Sequence, residues 1–211
     1  EQNLFNSELD IFTEYSNETQ EESNNGSFDS IKTITHTYEL VDSEDRIKEL
    51  CDFFLTCKIL SLDTETTSTN AIDAELVGLS FSTEESKAFY VPVPENKHEA
   101  QKIVDIFKEV YENPSILKIG QNIKYDITVL RKYGVEMKGE LFDCMIAHYL
   151  LQPELRHNMD YMAEAYLNYK TIHIDELIGH KGKSQKSMRD LSPIEVYEYA
   201  CEDADITLKL Y

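Results

Sequence analysis

The stretch KILSLDTET, residues 58–66, decides the fold prediction. Its apolar first half is typical of a buried strand, and successive side chains of a strand point to opposite faces. Asp63 and Glu65 therefore point the same way, while Leu60 and Leu62 occupy the other face. Two like charges held side by side repel each other, so the pattern predicts a positive group between these carboxylates.

Strand and helix patterns alternate on both sides of this stretch. Apolar runs predict strands at 36–41, 58–65, 75–82, 87–93 and 116–120. Helical spacing predicts helices at 43–56, 96–113, 122–134, 142–152 and 158–168, followed by a last helix. Capping residues support three of the helix starts: Asn96, Asn122 and Ser192, the last followed by Pro193 and Glu195. We expect an α/β fold in which a mixed central sheet is flanked by helices.

Composition limits the class of protein. With 211 residues, of which 41% are hydrophobic, the chain is long enough for one α/β domain with a substantial core. No apolar run is long enough to cross a membrane, and no segment resembles a secretory signal. The four cysteines form no CxxC pair, which favours reduced and mostly buried thiols. We therefore expect a cytoplasmic protein.

The formal net charge of −20 is unusual for a protein that binds nucleic acid, because phosphate binders usually carry a basic surface. Residues 1–30 contain eight acidic residues and no Lys or Arg, which leaves −12 for the remainder. This segment is rich in Asn, Ser and Glu, so we interpret residues 1–34 as an acidic flexible linker before a domain at 35–211. The chain stops inside a helical pattern at Tyr211, which suggests a fragment of a longer polypeptide.

Three acidic motifs carry the functional hypothesis. The first is the strand pair Asp63 and Glu65; the second is Asp126, in the first turn of a predicted helix; the third pairs Tyr199 with Asp203, one helical turn apart. Taken singly, these motifs are more typical of solvated strand ends, of helix-dipole stabilisation and of a surface hydrogen bond. Their order along one α/β domain is more informative than any one of them.

That order resembles the DEDD exonucleases of the ribonuclease H-like fold, in the DEDDy subtype that has tyrosine in the last motif. Further segments are similar to the proofreading 3′-5′ exonuclease domain of bacterial family A DNA polymerases, the DNA polymerase I group. They are DTETTSTNAIDAELVGLSFS, YVPV, IGQNIKYDITVLRKYG, LRHNMD, GKSQ and YACEDADITLKLY. The resemblance covers roughly residues 36–211, and it implies a polymerase domain after Tyr211.

The resemblance implies a site with two divalent metal ions, expected to be Mg²⁺, with Mn²⁺ or Zn²⁺ as alternatives. Hard cations prefer carboxylate oxygens, which is consistent with four acids and no His or Cys cluster. Asp63 would bridge the ions, Glu65 and Asp203 would complete the site that activates water, and Asp126 would serve the second ion. The hydroxyl of Tyr199, with Glu65, would orient the attacking water; with a pKa near 10 it suits positioning better than proton abstraction.

The resemblance also implies residues that bind a single-stranded or frayed DNA 3′ end. Gln121, Asn122 and Tyr125 match positions near the terminus, where Tyr125 could stack on a base. Arg156 matches a DNA contact, and Thr69 and Ile174 stand where the family has leucine and phenylalanine. The predicted substrate-binding set is Thr66, Thr69, Gln121, Asn122, Tyr125, Arg156 and Ile174. The stretch GHKGKSQKSMRD, with Lys181, Lys183, Lys186 and Arg189, is predicted to be a mobile basic loop near the DNA.

Three alternatives stay open at this point. The domain could be a catalytically silent scaffold of a polymerase, although all four acids and the tyrosine are present. It could be a ribonuclease D-like RNA 3′ exonuclease, which uses the same metal chemistry. The segment GQNIKYD argues against this alternative because it resembles the polymerase family. An acidic interaction module would leave the order of the motifs unexplained. We expect a monomer with no membrane contact.

Overall fold

A six-stranded sheet forms the centre of the computed structural model, which describes residues 27–182 and 184–211. The strands are β1 (Thr37–Leu40), β2 (Ile59–Thr66), β3 (Leu76–Glu84), β4 (Lys87–Pro92), β5 (Leu117–Gly120) and β6 (Leu141–Asp143). Their order across the sheet is β1-β4-β3-β2-β5-β6. Because β3 is antiparallel to β2 and β4 while the other pairs are parallel, the sheet is mixed, as predicted.

Seven helices surround the sheet in the described part of the chain. They are α1 (Glu44–Leu55), α2 (Lys97–Glu112), α3 (Lys124–Arg131), α4 (Cys144–Leu151), α5 (Met159–Leu167), α6 (Ile174–Ile178) and α7 (Pro193–Leu210). The side chain of Asn96 accepts hydrogen bonds from two backbone N–H groups at the start of α2. Glu195 accepts from the backbone N–H of Ser192, and Pro193 opens α7. These two predicted caps are confirmed.

The two faces of β2 differ in the size of their side chains. Leu60 and Leu62 of β2 join Phe81 of β3 and Phe54 of α1 in a large core that also contains residues of α2 and α3. The opposite face carries small buried serines, and helix α7 packs there with Ala200, Cys201 and Ala204 buried. Small side chains on both surfaces allow α7 to lie close to β2. The helix thereby reaches the carboxylates of that strand.

Two local predictions are wrong. The predicted helix at 142–152 begins two residues late, because Phe142 and Asp143 pair with β5 as the short strand β6. Asn122 does not cap α3: the cap position is Ile123, and Asn122 adopts a left-handed conformation with φ 59°. Asp143 instead accepts hydrogen bonds from the backbone N–H groups of Asn122 and Ile123. Helix α6 and a 3₁₀ turn at Met188–Asp190 were not predicted.

The part of the predicted linker that the structure describes lies against the domain. Asp29 forms a β-bridge with Tyr169, and Ile34 packs on a buried cluster that includes Ile206. Residues 1–26 lie outside the described residues, so the linker stays a prediction there. Among the described residues, Cys51, Cys144 and Cys201 are buried and all four thiols are free. No helix of that part is long and apolar enough to span a bilayer.

Candidate active site

Strand β2 delivers the first two carboxylates at its end. Asp63 pairs with Ser80 of β3, and Glu65 pairs with Gly78 before a register shift between Glu65 and Thr66. Such a bulge bends a strand and redirects its side chains, and bulges are frequent next to active sites. Gly78 is required here, because a Cβ atom would lie 2.2 Å from the ring of Tyr90. Glu65 is therefore held at the end of a closely packed strand pair.

Helix α7 delivers the third carboxylate. Asp203 is buried, and one carboxylate oxygen each from Asp63, Glu65 and Asp203 lie within 4.8 Å of one another. Tyr199 precedes Asp203 by one turn and lies close enough to this group for their charges to raise its pKa. The structure thus brings together residues from two motifs that are far apart in sequence.

The electrostatics of the group follow from burial and like charge. Loss of water around its carboxylate raises the pKa of Asp63 to about 6. Burial also raises the pKa of Glu65 well above its usual value, and the charges of Asp63 and Asp126 raise it further. The pKa of Asp203 is raised by burial and by the charges of Asp63 and Glu65. The carboxylates therefore repel one another when all are ionised, as the sequence predicts.

Two oxygens of this group have no hydrogen-bond partner among the described residues. They are Oε1 of Glu65 and Oδ1 of Asp203, and both are buried. A buried polar atom without a partner destabilises the fold by about 1–3 kcal/mol, so it usually has a functional reason. Three close carboxylates with free oxygens match the ligands that hard divalent cations prefer. The donor set thus fits a divalent metal ion.

Asp126 lies outside this group of three, next to Thr64 of β2. It is buried in the first turn of α3, and its Oδ1 accepts a 2.6 Å hydrogen bond from the hydroxyl of Thr64. Its pKa is raised well above the usual value by burial and then by the charge of Asp63. Asp126 is therefore electrostatically coupled to the group through Asp63, although its oxygens are partly used by Thr64.

Tyr199 keeps its proton at physiological pH. Burial raises its pKa well above 10, and the charges of Asp203, Glu65 and Asp63 raise it further because they oppose a phenolate. A neutral hydroxyl can donate and accept hydrogen bonds but is a very weak base. The arrangement fits the predicted role of orienting water.

A cleft of about 860 Å³ opens beside Glu65. Five of the seven predicted substrate-binding residues line it: Thr66, Thr69, Asn122, Tyr125 and Ile174. The hydroxyl of Tyr125 contacts Thr66 Oγ1 and donates to the carbonyl of Ser68, which ties its ring to the wall formed after β2. Lys181 and Lys186 of the basic stretch also line the cleft, together with Asp175. The cleft thus carries both acidic and basic side chains.

The remaining predicted residues lie elsewhere. Gln121 does not line the cleft, and its Nε2 donates to the carbonyl of His157. Arg156 is exposed on the turn between α4 and α5. Arg189 donates to the carbonyls of Val93 and Leu76, so it anchors the end of the basic stretch to the sheet instead of facing a substrate. Lys183 lies outside the described residues.

Sequence reasoning missed several residues that hold the site in place. Thr64 binds Asp126, and Asp143 fixes the backbone at Asn122. Glu202 accepts from the hydroxyl of Tyr169 and the backbone N–H of Ile172. Their partners are 21 to 62 residues away in sequence, so no local spacing could have indicated these contacts.

Comparisons with known proteins identify the family. The family profile described as "3'-5' exonuclease" matches residues 38–211, which include both halves of the site. The chain belongs to the 3′-5′ exonuclease family. It is therefore a nuclease domain, and the predicted family resemblance is confirmed.

The relatives of this exonuclease domain are much longer proteins. DNA polymerase I of Pseudomonas aeruginosa is 37% identical over 164 residues, which are 73% of this chain and 18% of the relative. DNA polymerase I of Borreliella burgdorferi is 31% identical over 199 residues, which are 91% of the chain and 21% of the relative. The chain thus spans about a fifth of the length of these curated relatives.

A solved structure supports the fold. The crystal structure of Trypanosoma brucei RNase D matches with a TM-score of 0.67 at 17% identity, and the match covers 83% of this chain and 63% of that one. The predicted ribonuclease H-like α/β fold is confirmed.

Proposed function

We propose that this chain is the 3′-5′ exonuclease part of a DNA polymerase I and that it removes nucleotides from DNA 3′ ends by phosphodiester hydrolysis. The single observation that carries the proposal is the meeting of Asp63, Glu65 and Asp203 beside a cleft that Glu65, Lys181 and Lys186 line. Proofreading would be its role, with a polymerase domain after position 211 of the full polypeptide. We expect the protein to act as a cytoplasmic monomer.

The carboxylates would hold two divalent cations. Asp63, Glu65 and Asp203 form the group that suits one ion, and Asp126, whose pKa responds to Asp63, would serve the other. Mg²⁺ is the expected ion, with Mn²⁺ or Zn²⁺ as alternatives. When bound, two such ions lower the pKa of the attacking water and stabilise charge on the attacking and leaving oxygens. The protein's own contribution is to hold these acids together in one place, although burial and mutual repulsion oppose their ionisation.

The other residues of the site orient the reactants. The neutral hydroxyl of Tyr199 would hold the attacking water by hydrogen bonding, while Glu65 fixes its direction. The half-buried ring of Tyr125 would pack against the terminal base, because its hydroxyl is already fixed by Thr66 and Ser68. Lys181 and Lys186 would contact backbone phosphates across the cleft. These two lysines would supply positive charge at the cleft despite the negative net charge of the chain.

Two competing functions make different predictions. A silent scaffold has no need for buried carboxylate oxygens without partners, such as those of Glu65 and Asp203, because they destabilise the fold. An RNA exonuclease of the ribonuclease D type would have the same fold and metal chemistry. It would differ in its substrate, and the two curated relatives described above are DNA polymerases.

The experiment is a 3′ degradation assay on 5′-labelled single strands of DNA and RNA, with Mg²⁺ or EDTA. We expect a ladder of shortened DNA, release of nucleoside 5′-monophosphates, and loss of activity in EDTA or in Asp203→Asn. Glu198→Gln is the matched control, because Glu198 lies on α7 but is exposed. Metal-dependent degradation of RNA alone would support the ribonuclease reading, and no degradation of either strand would support the scaffold.

A further inference from the structure

Two histidines, His148 and His157, contact each other between helix α4 and the turn that joins α4 to α5; we call this contact the clasp. His148 of α4 is 6% exposed, and its Nδ1 lies 2.7 Å from Nδ1 of His157 on the turn. One imidazole must donate and the other accept, so the contact requires a single proton between the two nitrogens. The remaining ring nitrogen of His148, Nε2, lies 2.8 Å from the hydroxyl of Tyr166 on α5. The buried imidazole thus joins the turn to both flanking helices.

The ring of His157 is held by packing as well. It stacks edge to face on His148 and on Tyr149, with centroid distances of 4.9 and 5.4 Å. By contrast, residues 153–156 of the turn are exposed, and one backbone hydrogen bond, from Leu155 to Gln152, lies within it. His157 is therefore the fixed point of a turn that is otherwise in solvent.

The clasp reaches the substrate cleft through the backbone of His157. Its carbonyl accepts a 2.7 Å hydrogen bond from Nε2 of Gln121. Gln121 is followed by Asn122, which lines the cleft and whose backbone N–H is held by Asp143. The neighbour of His157 on the other side is Arg156, an exposed cation. His157 thus links the turn that carries this cation to the segment that precedes the cleft residue Asn122.

We propose that His148 and His157 are positioning residues: they hold the α4–α5 turn, which carries the predicted DNA contact Arg156, and they hold Gln121 behind the cleft residue Asn122. The inference rests on the proposed function, because it assigns the turn to the binding of a nucleic-acid 3′ end. Without the clasp, both side chains must be ordered when the strand binds, which costs conformational entropy. Binding should therefore weaken more than turnover at saturation.

The main test compares three variants of the chain. His157→Leu removes the polar contact, His157→Asn keeps a hydrogen-bonding atom near the position of Nδ1, and His98→Leu replaces an exposed histidine on α2 as the control. Fluorescence anisotropy with a single-stranded oligonucleotide in EDTA measures Kd without turnover. We expect Kd to rise about 5- to 50-fold in His157→Leu and to recover largely in His157→Asn. A Kd unchanged in His157→Leu would overturn the proposal.

Two readouts separate positioning from general destabilisation. Trypsin cleaves after arginine, so cleavage after Arg156 should be several-fold faster in His157→Leu while its melting temperature stays near that of the wild type. In an Arg156→Ala background, His157→Leu should weaken binding less than it does in the wild type, because both changes act on one contact. Equal trypsin sensitivity, or strictly additive losses, would contradict the clasp.

The outcomes also separate this inference from the proposed function. A wild-type chain that binds the strand but does not degrade it refutes the exonuclease activity, while the effect of His157→Leu on Kd still decides the clasp. If His157→Leu does not fold, His157→Gln tests the same contact, because its longer side chain no longer places a polar atom near Nδ1. A Kd unchanged in folded His157→Gln would also overturn the proposal.

Discussion

Replacing Asp63 by asparagine should stabilise the protein when no metal is present. The pKa of Asp63 is raised from 3.8 to about 6, and one pKa unit corresponds to about 1.4 kcal/mol. The full shift amounts to about 3 kcal/mol, and the partial exposure of Asp63 lowers the expected gain to on the order of 2 kcal/mol. For a domain of this size, that gain raises the melting temperature by about 4–8 °C.

The effect of Asp63→Asn on the free energy of unfolding depends on pH. A carboxyl group with a raised pKa binds more protons in the folded state than in the unfolded state between the two pKa values. The free energy of unfolding therefore falls as pH rises from about 4 through 6, and the loss is complete above that window. Asp63→Asn should consequently match the wild type near pH 4 and exceed it at pH 7.5. Removing this charge also relieves Glu65 and Asp203, whose pKa values it raises.

The assay is thermal unfolding at both pH values, in EDTA and with Mg²⁺ or Mn²⁺. Divalent cations should raise the melting temperature of the wild type at pH 7.5 and that of Asp63→Asn far less, because a ligand has been removed. Asp52→Asn, an exposed position on α1, is the control. If Asp63→Asn in EDTA melts at or below the wild-type temperature at pH 7.5, the carboxylates do not repel as described.

Three further outcomes are expected. Tyr199→Phe should reduce single-turnover rates by about ten- to a thousand-fold and leave the metal affinity, measured by calorimetry, unchanged. Tyr197→Phe should have little effect on either quantity. If Tyr197→Phe were the more damaging change, the rotation of α7 described here would be wrong. Single-stranded or mismatched 3′ ends should be degraded faster than paired ends, because unpairing costs a few kcal/mol, and equal rates would count against proofreading. Arg189→Gln should lower the free energy of unfolding in urea by about 1–3 kcal/mol and leave the Kd for oligonucleotide unchanged, since Arg189 binds sheet carbonyls. A higher Kd in this variant would mean that Arg189 contacts the substrate.

The main elements could be predicted because their signals are local. Leu60 and Leu62 alternate with polar residues along β2, and both belong to the large core. Asn96 and Ser192 mark helix starts through side chains that act within one turn. Helical geometry places residues four apart about 40° from each other, which correctly put Tyr199 beside Asp203. Two short elements with local caps were nevertheless missed: α6, with His173 and Glu176, and the 3₁₀ turn, with Ser187 and Asp190.

Three failures share a different cause, since each depends on a distant partner. Phe142 and Asp143 are a strand because β5 is beside them, and their own sequence looks like the start of a helix. Asn122 was expected to cap α3, but Asp143 takes that role from another element. Arg189 belongs to a basic stretch by sequence, yet the carbonyls of the sheet hold its guanidinium. The pattern of charge along the sequence cannot show which basic side chain binds backbone carbonyls in the folded protein.

Helix α7 shows how partners separate structural acids from catalytic ones. Glu202 is fully paired by Tyr169 and Ile172, and Asp205 accepts from the hydroxyl of Tyr38 and the backbone N–H of Ser86 and pairs with Lys209. Asp203, between them, keeps a buried oxygen without a partner among the described residues. The paired acids fix the rotation of α7, because they point about 100° and 200° away from Asp203 around the helix. Asp203 is thereby held toward β2, beside Asp63 and Glu65, where a bound cation would relieve the repulsion of the three carboxylates.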